Sequence, residues 1–213
     1  TWANLAWTAG TFAVSHDVYI GESLADVNSG AEGTFLGNQT ADFVVVGSPG
    51  FAFPDGLVPG TTYYWRVDEV NDADPNSPWK GDVWSFVIPP KNAYNLAPAD
   101  GAKFMDPEPT LSWTGGFASK LHHVYFGDNV DDVEAGTGGT FLGNRTVTYL
   151  TVGSPRSAYP NGLIPGPVYY WRIDEVEADG TTIHKGDVWR FACHTSAGLP
   201  GGWSSRGMRR SRT

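Results

Sequence analysis

Two sets of residues combine types and spacing that point to chemistry. They are His16, Glu69 and Asp82, and their repeats His122, Glu175 and Asp187. An imidazole beside two carboxylates can hold a divalent metal, Ca2+ or Zn2+. The same three groups can instead satisfy one another in a polar cluster that closes one end of a core, with the imidazole bridging the carboxylates. Both readings stand at this point. Oxygen-rich loops are a second candidate for Ca2+: Glu22 and Asp26; Asp72 and Asp74; Asp128, Asp131 and Asp132. None of them follows the twelve-residue calcium-loop pattern, and solvated surface charge explains them equally.

Asn38-Gln39-Thr40 and Asn144-Arg145-Thr146 are N-x-T triplets at matching positions. They mark Asn38 and Asn144 as glycosylation acceptors if the chain is extracellular. Catalytic signatures are missing. The chain has no G-x-S-x-G, no H-E-x-x-H and no glycine-rich phosphate loop, so an enzyme is not expected. Cys193 and His194 are adjacent, but neighbours on a strand face opposite ways, which makes them a poor nucleophile and base pair.

The elements that must carry these residues come in duplicate. Leu57–Val70 (LVPGTTYYWRVDEV) returns as Leu163–Val176 (LIPGPVYYWRIDEV). Trp7 aligns with Trp113, an offset of 106, which holds without a gap to the YYWR segment; Lys80–Phe86 then matches Lys185–Phe191 at 105. A period this long makes each copy a domain rather than a solenoid repeat. The Pro-Gly pairs Pro59-Gly60 and Pro165-Gly166 are turns that feed an aromatic, β-branched strand. Alternation assigns Tyr63, Trp65 and Val67 to the core face and Tyr64, Arg66 and Asp68 to the solvent face. Further strands are expected at 12–21, 33–38, 42–46 and 82–88, with one helical turn inside 22–33 stopped by Gly30 and Gly33. About seven short strands per copy, punctuated by 27 Gly and 15 Pro, indicate an all-β sandwich.

The segments L-x-P-G-x-x-Y (Leu57 to Tyr63, Leu163 to Tyr169) resemble the tyrosine corner of fibronectin type III domains. Trp7 and Trp113 resemble that family's second-strand tryptophan. With HDVYIG, YYWRVDEVN and KGDVWSF, the chain up to Phe191 is similar to repeats in large secreted proteins of environmental bacteria. The resemblance implies two tandem fibronectin III-like sandwiches, at 1–89 and 96–193, with a linker at 90–95 and a tail at 194–213. In that topology the strands bearing His16, Glu69 and Asp82 are antiparallel neighbours, and parity points all three inward at one end.

The first copy departs from the pattern. Thr1 aligns with Pro107, so the lead-in to the second copy, Asn95–Asp106, has no counterpart before Thr1. The first domain is expected to lack its first strand and to present an unpaired edge. The tail from Leu199 to Thr213 matches nothing in the repeat. Its Arg206, Arg209, Arg210 and Arg212, with no acid among them, leave the rest of the chain four charges more negative than the overall −9. An acidic body speaks against nucleic acid as a partner. No apolar run is long enough to span a membrane, and the lone Cys193 allows no intrachain disulfide.

These mismatched ends imply a structural protein, extracellular or at the cell surface, that assembles head to tail as a homo-polymer. Leu199, Trp203 and the four arginines of one subunit would complete domain 1 of the next by β-strand addition. The alternative is an adhesion, carbohydrate-binding or spacer module of a larger secreted protein. In that case glycans would stack on exposed aromatics such as Trp79 or Tyr64.

Overall fold

The computed structural model describes residues Thr1–Cys193. The first copy contains β1 (Ala3–Ala6), β2 (Ser15–Gly21), helix α1 (Leu24–Ser29), β3 (Phe35–Gln39), β4 (Phe43–Val46), β5 (Thr62–Val70) and β6 (Trp84–Val87). The second contains β7 (Tyr94–Ala97), β8 (Ala102–Met105), β9 (Thr110–Thr114), β10 (Ser119–Gly127), helix α2 (Val130–Ala135), β11 (Phe141–Arg145), β12 (Tyr149–Thr151), β13 (Val168–Glu177), β14 (Ile183–His184) and β15 (Trp189–Cys193). The fold is all-β, in several sheets. Six strands in the first copy and nine in the second replace the expected seven in each. No described helix is long and apolar enough to cross a membrane. The described chain divides into two compact units, one of Thr1–Tyr94 with Gly115–Lys120 and Glu175–His184, the other of Asn95–Thr114, Leu121–Asp174 and the described residues 185–193.

In the first copy β1 pairs with β4, and a second sheet runs β3-β2-β5-β6. Leu5 and Val46 from one sheet pack with Ile20, Tyr63 and Trp65 from the other in a single apolar cluster, the arrangement of a β-sandwich. The tyrosine that follows each Pro-Gly turn reaches back over that turn. Tyr63 Oη accepts from the Val58 amide at 3.0 Å, and Tyr169 Oη accepts from the Ile164 amide at 2.9 Å.

The helical turn forms where Ser23 and Gly30 bracket it. The Ser23 side chain caps the first turn, and Gly30 ends it in the left-handed region at φ 70°. Val27 is its one buried side chain, while Leu24 faces solvent.

One expectation about β5 fails. Arg66 and Asp68, assigned to the solvent face, are buried, as are Arg172 and Asp174 in the second copy. The C-terminal end of the short helix covers this face. Arg66 Nη1 donates to the carbonyls of Val27, at 2.8 Å, and Asn28. These are carbonyls of the helix's last turn; Val27 O also accepts from the Gly30 amide at 3.3 Å, and the guanidinium adds a charged donor to two of them at once. Arg66 also lies 4.2 Å over the Tyr19 ring. Arg172 repeats the arrangement with Val133, Glu134 and Tyr125.

Candidate functional site

The β2–β5 register sets His16 opposite Glu69. Both side chains lie on the same side of the sheet, and His16 Nδ1 meets Glu69 Oε2 at 2.8 Å. His16 is buried, and the edge of its ring packs on Trp7 with centroids 5.3 Å apart. His122 holds the same relation to Trp113 at 5.5 Å, and Glu175 is wholly buried. The third member of each proposed metal set is not gathered with the other two as a metal centre. Asp82 and Asp187 precede their strands and are exposed rather than pointing inward.

The cause is local. Gly81 and Gly186 pass so close to the preceding strand that a Cβ there would lie 2.1 Å from the carbonyl oxygens of Val67 and Ile173. Their amides donate to Asp68 and Asp174 at 3.0 Å in each copy. The buried aspartates thus take up the amide just before Asp82 and Asp187, and the next residue turns out to solvent. Among the described residues no group of three His, Cys, Asp or Glu side chains is gathered as a metal centre. In the first copy, His16, Glu69 and Asp82 therefore resolve into an imidazole–carboxylate pair and one exposed carboxylate.

The more distinctive feature is a cleft of about 290 Å³ in the first copy, lined by Trp7, Trp65, Trp84, Arg66, Glu69 and Asp82 among others. Trp65 and Trp84 meet edge to face at 5.4 Å, and Trp7 lies 6.3 Å from Trp65. Trp84 is 58% exposed, which is unusual for an indole set between two sheets. At the equivalent places of the second copy Trp171 is fully buried and Trp189 half-buried.

The two copies also differ in strand content. In the second copy β7 lies on the free side of β9, and β8 pairs parallel with β15, joining Phe191 to Ala102 and Cys193 to Met105. The backbone of Arg190 is engaged on that outer side as well. Its amide donates to Asp100 Oδ1 at 3.0 Å, and its carbonyl accepts from the Gly101 amide at 2.8 Å. Leu96 and Pro98 of this lead-in are buried. In the first copy, among the described residues, no strand lies beyond β1 or beyond β6. Ser85, the counterpart of Arg190, is exposed, as is Val87. Among the described residues, then, neither β1 nor β6 has a strand on its outer side, and the tryptophan cleft is in the same copy.

A comparison with protein-family models and with curated proteins returns no match.

The remaining candidates are placed as follows. Asn38 and Asn144 are exposed on β3 and β11, and Asn38 Nδ2 donates to Ser15 Oγ at 3.0 Å and Asp17 Oδ1 at 2.8 Å. The acidic loops are used locally: Asp74 Oδ1 accepts from the Asn76 amide, and Asp132 Oδ1 from the Thr137 hydroxyl. Cys193 is buried in β15, and burial raises its thiol pKa. Trp79 is exposed on the rim of a second hollow of about 270 Å³ with Phe12, Glu69, Asn71 and Asp74. Leu199, Trp203, Arg206, Arg209, Arg210 and Arg212 lie outside the described residues.

The sequence shows the cleft only indirectly. YYWR and KGDVW place the tryptophans, but how exposed each one is depends on what packs over it, which the repeat pattern does not state. The buried Arg66–Asp68 pair was missed because alternation alone puts those residues in water. The signal that could have found it is the repetition of Arg and Asp at the same two positions in both copies, each a few tens of residues after a helical turn.

Proposed function

We propose that this chain is a structural, extracellular protein of two tandem fibronectin type III-like sandwiches that assembles head to tail into a filament. The first sandwich is the acceptor and the C-terminal tail of another copy is the donor. The observation that carries this reading is that, among the described residues, no strand of the first copy stands at the places where the second copy holds β7 and β8. Unpaired strand edges are the ordinary template for addition of a strand from another chain. A donor and an acceptor at different places on one subunit make a heterologous contact, which propagates unless rotation closes it. The acidic body and the basic tail favour the same pairing through their charges.

The test is negative-stain microscopy of the full chain beside a version ending at Ala197, with circular dichroism to show that both are folded. Filaments from the full chain alone support the reading. Dispersed single particles from both oppose it.

A second reading, a carbohydrate-binding or adhesion module, is favoured by the exposed Trp79, Trp84 and Phe12 of the first copy, which border hollows that also contain carboxylates. A glycan array separates the two readings: saccharide binding by the tail-less chain supports the second and is not expected from the first.

A further inference from the structure

We propose that the second copy carries a binding site for an acidic saccharide, a uronate whose carboxylate is held by Arg145 and Arg156. Every residue of the site lies in the second copy, so it rests on neither reading above.

The site is a hollow between two sheet edges. β11 ends the sheet β11-β10-β13-β15-β8, and β12 ends the sheet β12-β9-β7. The hollow has a volume of about 350 Å³ and is lined by Leu142 of β11, Leu150 of β12 and, among others, Arg145, Ser154, Arg156 and Ser157. That volume falls within the range of small-molecule sites. No carboxylate lines it, although the chain as a whole carries a charge of −9.

Register brings the first cation there. β10 sets His122 opposite Arg145, and His122 is buried. Residues directly opposite on paired strands share a face, so Arg145 stands on the inward side of the edge strand. Its Nη2 donates to Leu142 O at 3.2 Å. Its Nε is shut off from solvent and meets no described acceptor. A guanidinium paired this incompletely gains from an anion beside it.

The second cation comes from a closed loop. The Gly153 amide donates to Ala158 O and the Ser157 amide to Ser154 O, each at 2.9 Å. The Ser157 hydroxyl donates to the same carbonyls at 3.0 and 2.9 Å. Arg156 is exposed on this loop, and its guanidinium bonds no other described residue.

Neither arginine is needed to form the loop. The first copy closes its own with the equivalent backbone bonds, Gly47 to Ala52 and Phe51 to Ser48. There Gln39 and Gly50 stand in place of Arg145 and Arg156, and Phe51 in place of Ser157. Gln39 turns its amide onto the carbonyls of Ala41 and Phe43. The two cations are thus additions peculiar to the second copy.

The lining sets the ligand class. Two guanidiniums without an acid select an oxyanion, and a planar carboxylate matches the guanidinium fork. Leu142 and Leu150 supply apolar wall, which suits the C–H face of a sugar ring and is of no use to a bare inorganic ion. The Ser154 and Ser157 hydroxyls complement ring hydroxyls.

The experiment is an NMR titration of the full 15N-labelled chain with trigalacturonate, read at the arginine Nε–Hε signals. Galactotriose, sodium sulfate and an aspartate-containing tripeptide are titrated in parallel. Trigalacturonate is expected to move the signals of Arg145 and Arg156, and to bind at least tenfold more weakly to Arg145→Gln and to Arg156→Gln. Galactotriose is expected to move neither signal, and sulfate and the tripeptide to bind at least tenfold more weakly than trigalacturonate. Urea unfolding of both variants shows that they remain folded; Arg156 is exposed, so its variant decides the matter even if Arg145→Gln does not fold. Affinity unchanged in the folded variants, or no movement of either signal with trigalacturonate, would overturn the site. Sulfate or the tripeptide binding as tightly as trigalacturonate, or galactotriose binding at all, would overturn the uronate assignment.

Discussion

The backbone carbonyl of Thr1 accepts a hydrogen bond from the amide of Leu57 at 2.7 Å, and Pro107 does the same from Leu163 at 2.9 Å. Each carbonyl also sits against a glycine that must stay bare. A Cβ at Gly47 would meet Thr1 O at 2.4 Å, and one at Gly153 would meet Pro107 O at 2.1 Å. Thr1 and Pro107 therefore hold the same place in the two copies. Gly47→Ala adds both a side-chain clash and an alanine at φ 79°. It is expected to cost the first copy about 1–3 kcal/mol, read as a lower urea midpoint, and an unchanged midpoint would mean that Thr1 is not anchored there.

The buried pair of Arg66 and Asp68 holds helix, strand and the entry to β6 together. Arg66 Nη2 meets Asp68 Oδ2 at 3.0 Å, and Asp68 Oδ1 takes the Gly81 amide. Arg66→Met leaves a buried carboxylate facing no cation and is expected to destabilise by about 3–5 kcal/mol. The double change Arg66→Met with Asp68→Asn is expected to cost less than the single one, because it removes the stranded charge. A double variant worse than the single would show that the ion pair is not what the site depends on.

Trp65 and Trp171 occupy the same position in the repeat but have different surroundings. Trp171→Ala empties a closed site and is expected to cost about 3–5 kcal/mol. Trp65→Ala enlarges a cleft that is already open and is expected to cost less in the unassembled chain. Equal losses in denaturant unfolding would imply that the first copy is as well filled as the second.

The loop after β13 contains a carboxylate with a pH signature. Asp179 accepts from the amides of Thr181 at 3.0 Å and Thr182 at 2.9 Å, and from the Thr182 hydroxyl at 2.6 Å. These bonds favour the charged form and hold its pKa well below the ordinary 3.8. A depressed folded-state value stabilises the loop above pH 4 and loses that effect as pH falls through it. An NMR titration should therefore find Asp179 still ionised at pH 3. A midpoint at the ordinary value would mean that the turn is not closed by these bonds.

Much of this was legible in the sequence because it is local. The Pro-Gly turn, the alternating YYWR strand and the Ser23-to-Gly30 helical turn each depend on residues a few positions apart. The inward aim of Asp82 was misjudged because strand parity was extended past the end of the strand, across Gly81, where a close backbone approach resets it. Arg66 and Asp68 were misplaced because which face of β5 meets water is decided by a helix some forty residues away in the chain, and pairwise alternation contains no information about that.

The most direct test of the central claim is amide hydrogen exchange across β6, measured on the full chain below and above the concentration at which it assembles. In the second copy the outward backbone of Arg190 is held by Asp100 and Gly101. Ser85 is its counterpart at an open edge. If the tail of another copy adds beside β6, exchange at Ser85 and its neighbours slows many-fold on assembly, while the amides of β15 do not change. Fast exchange at Ser85 in the assembled protein would contradict strand addition at this edge.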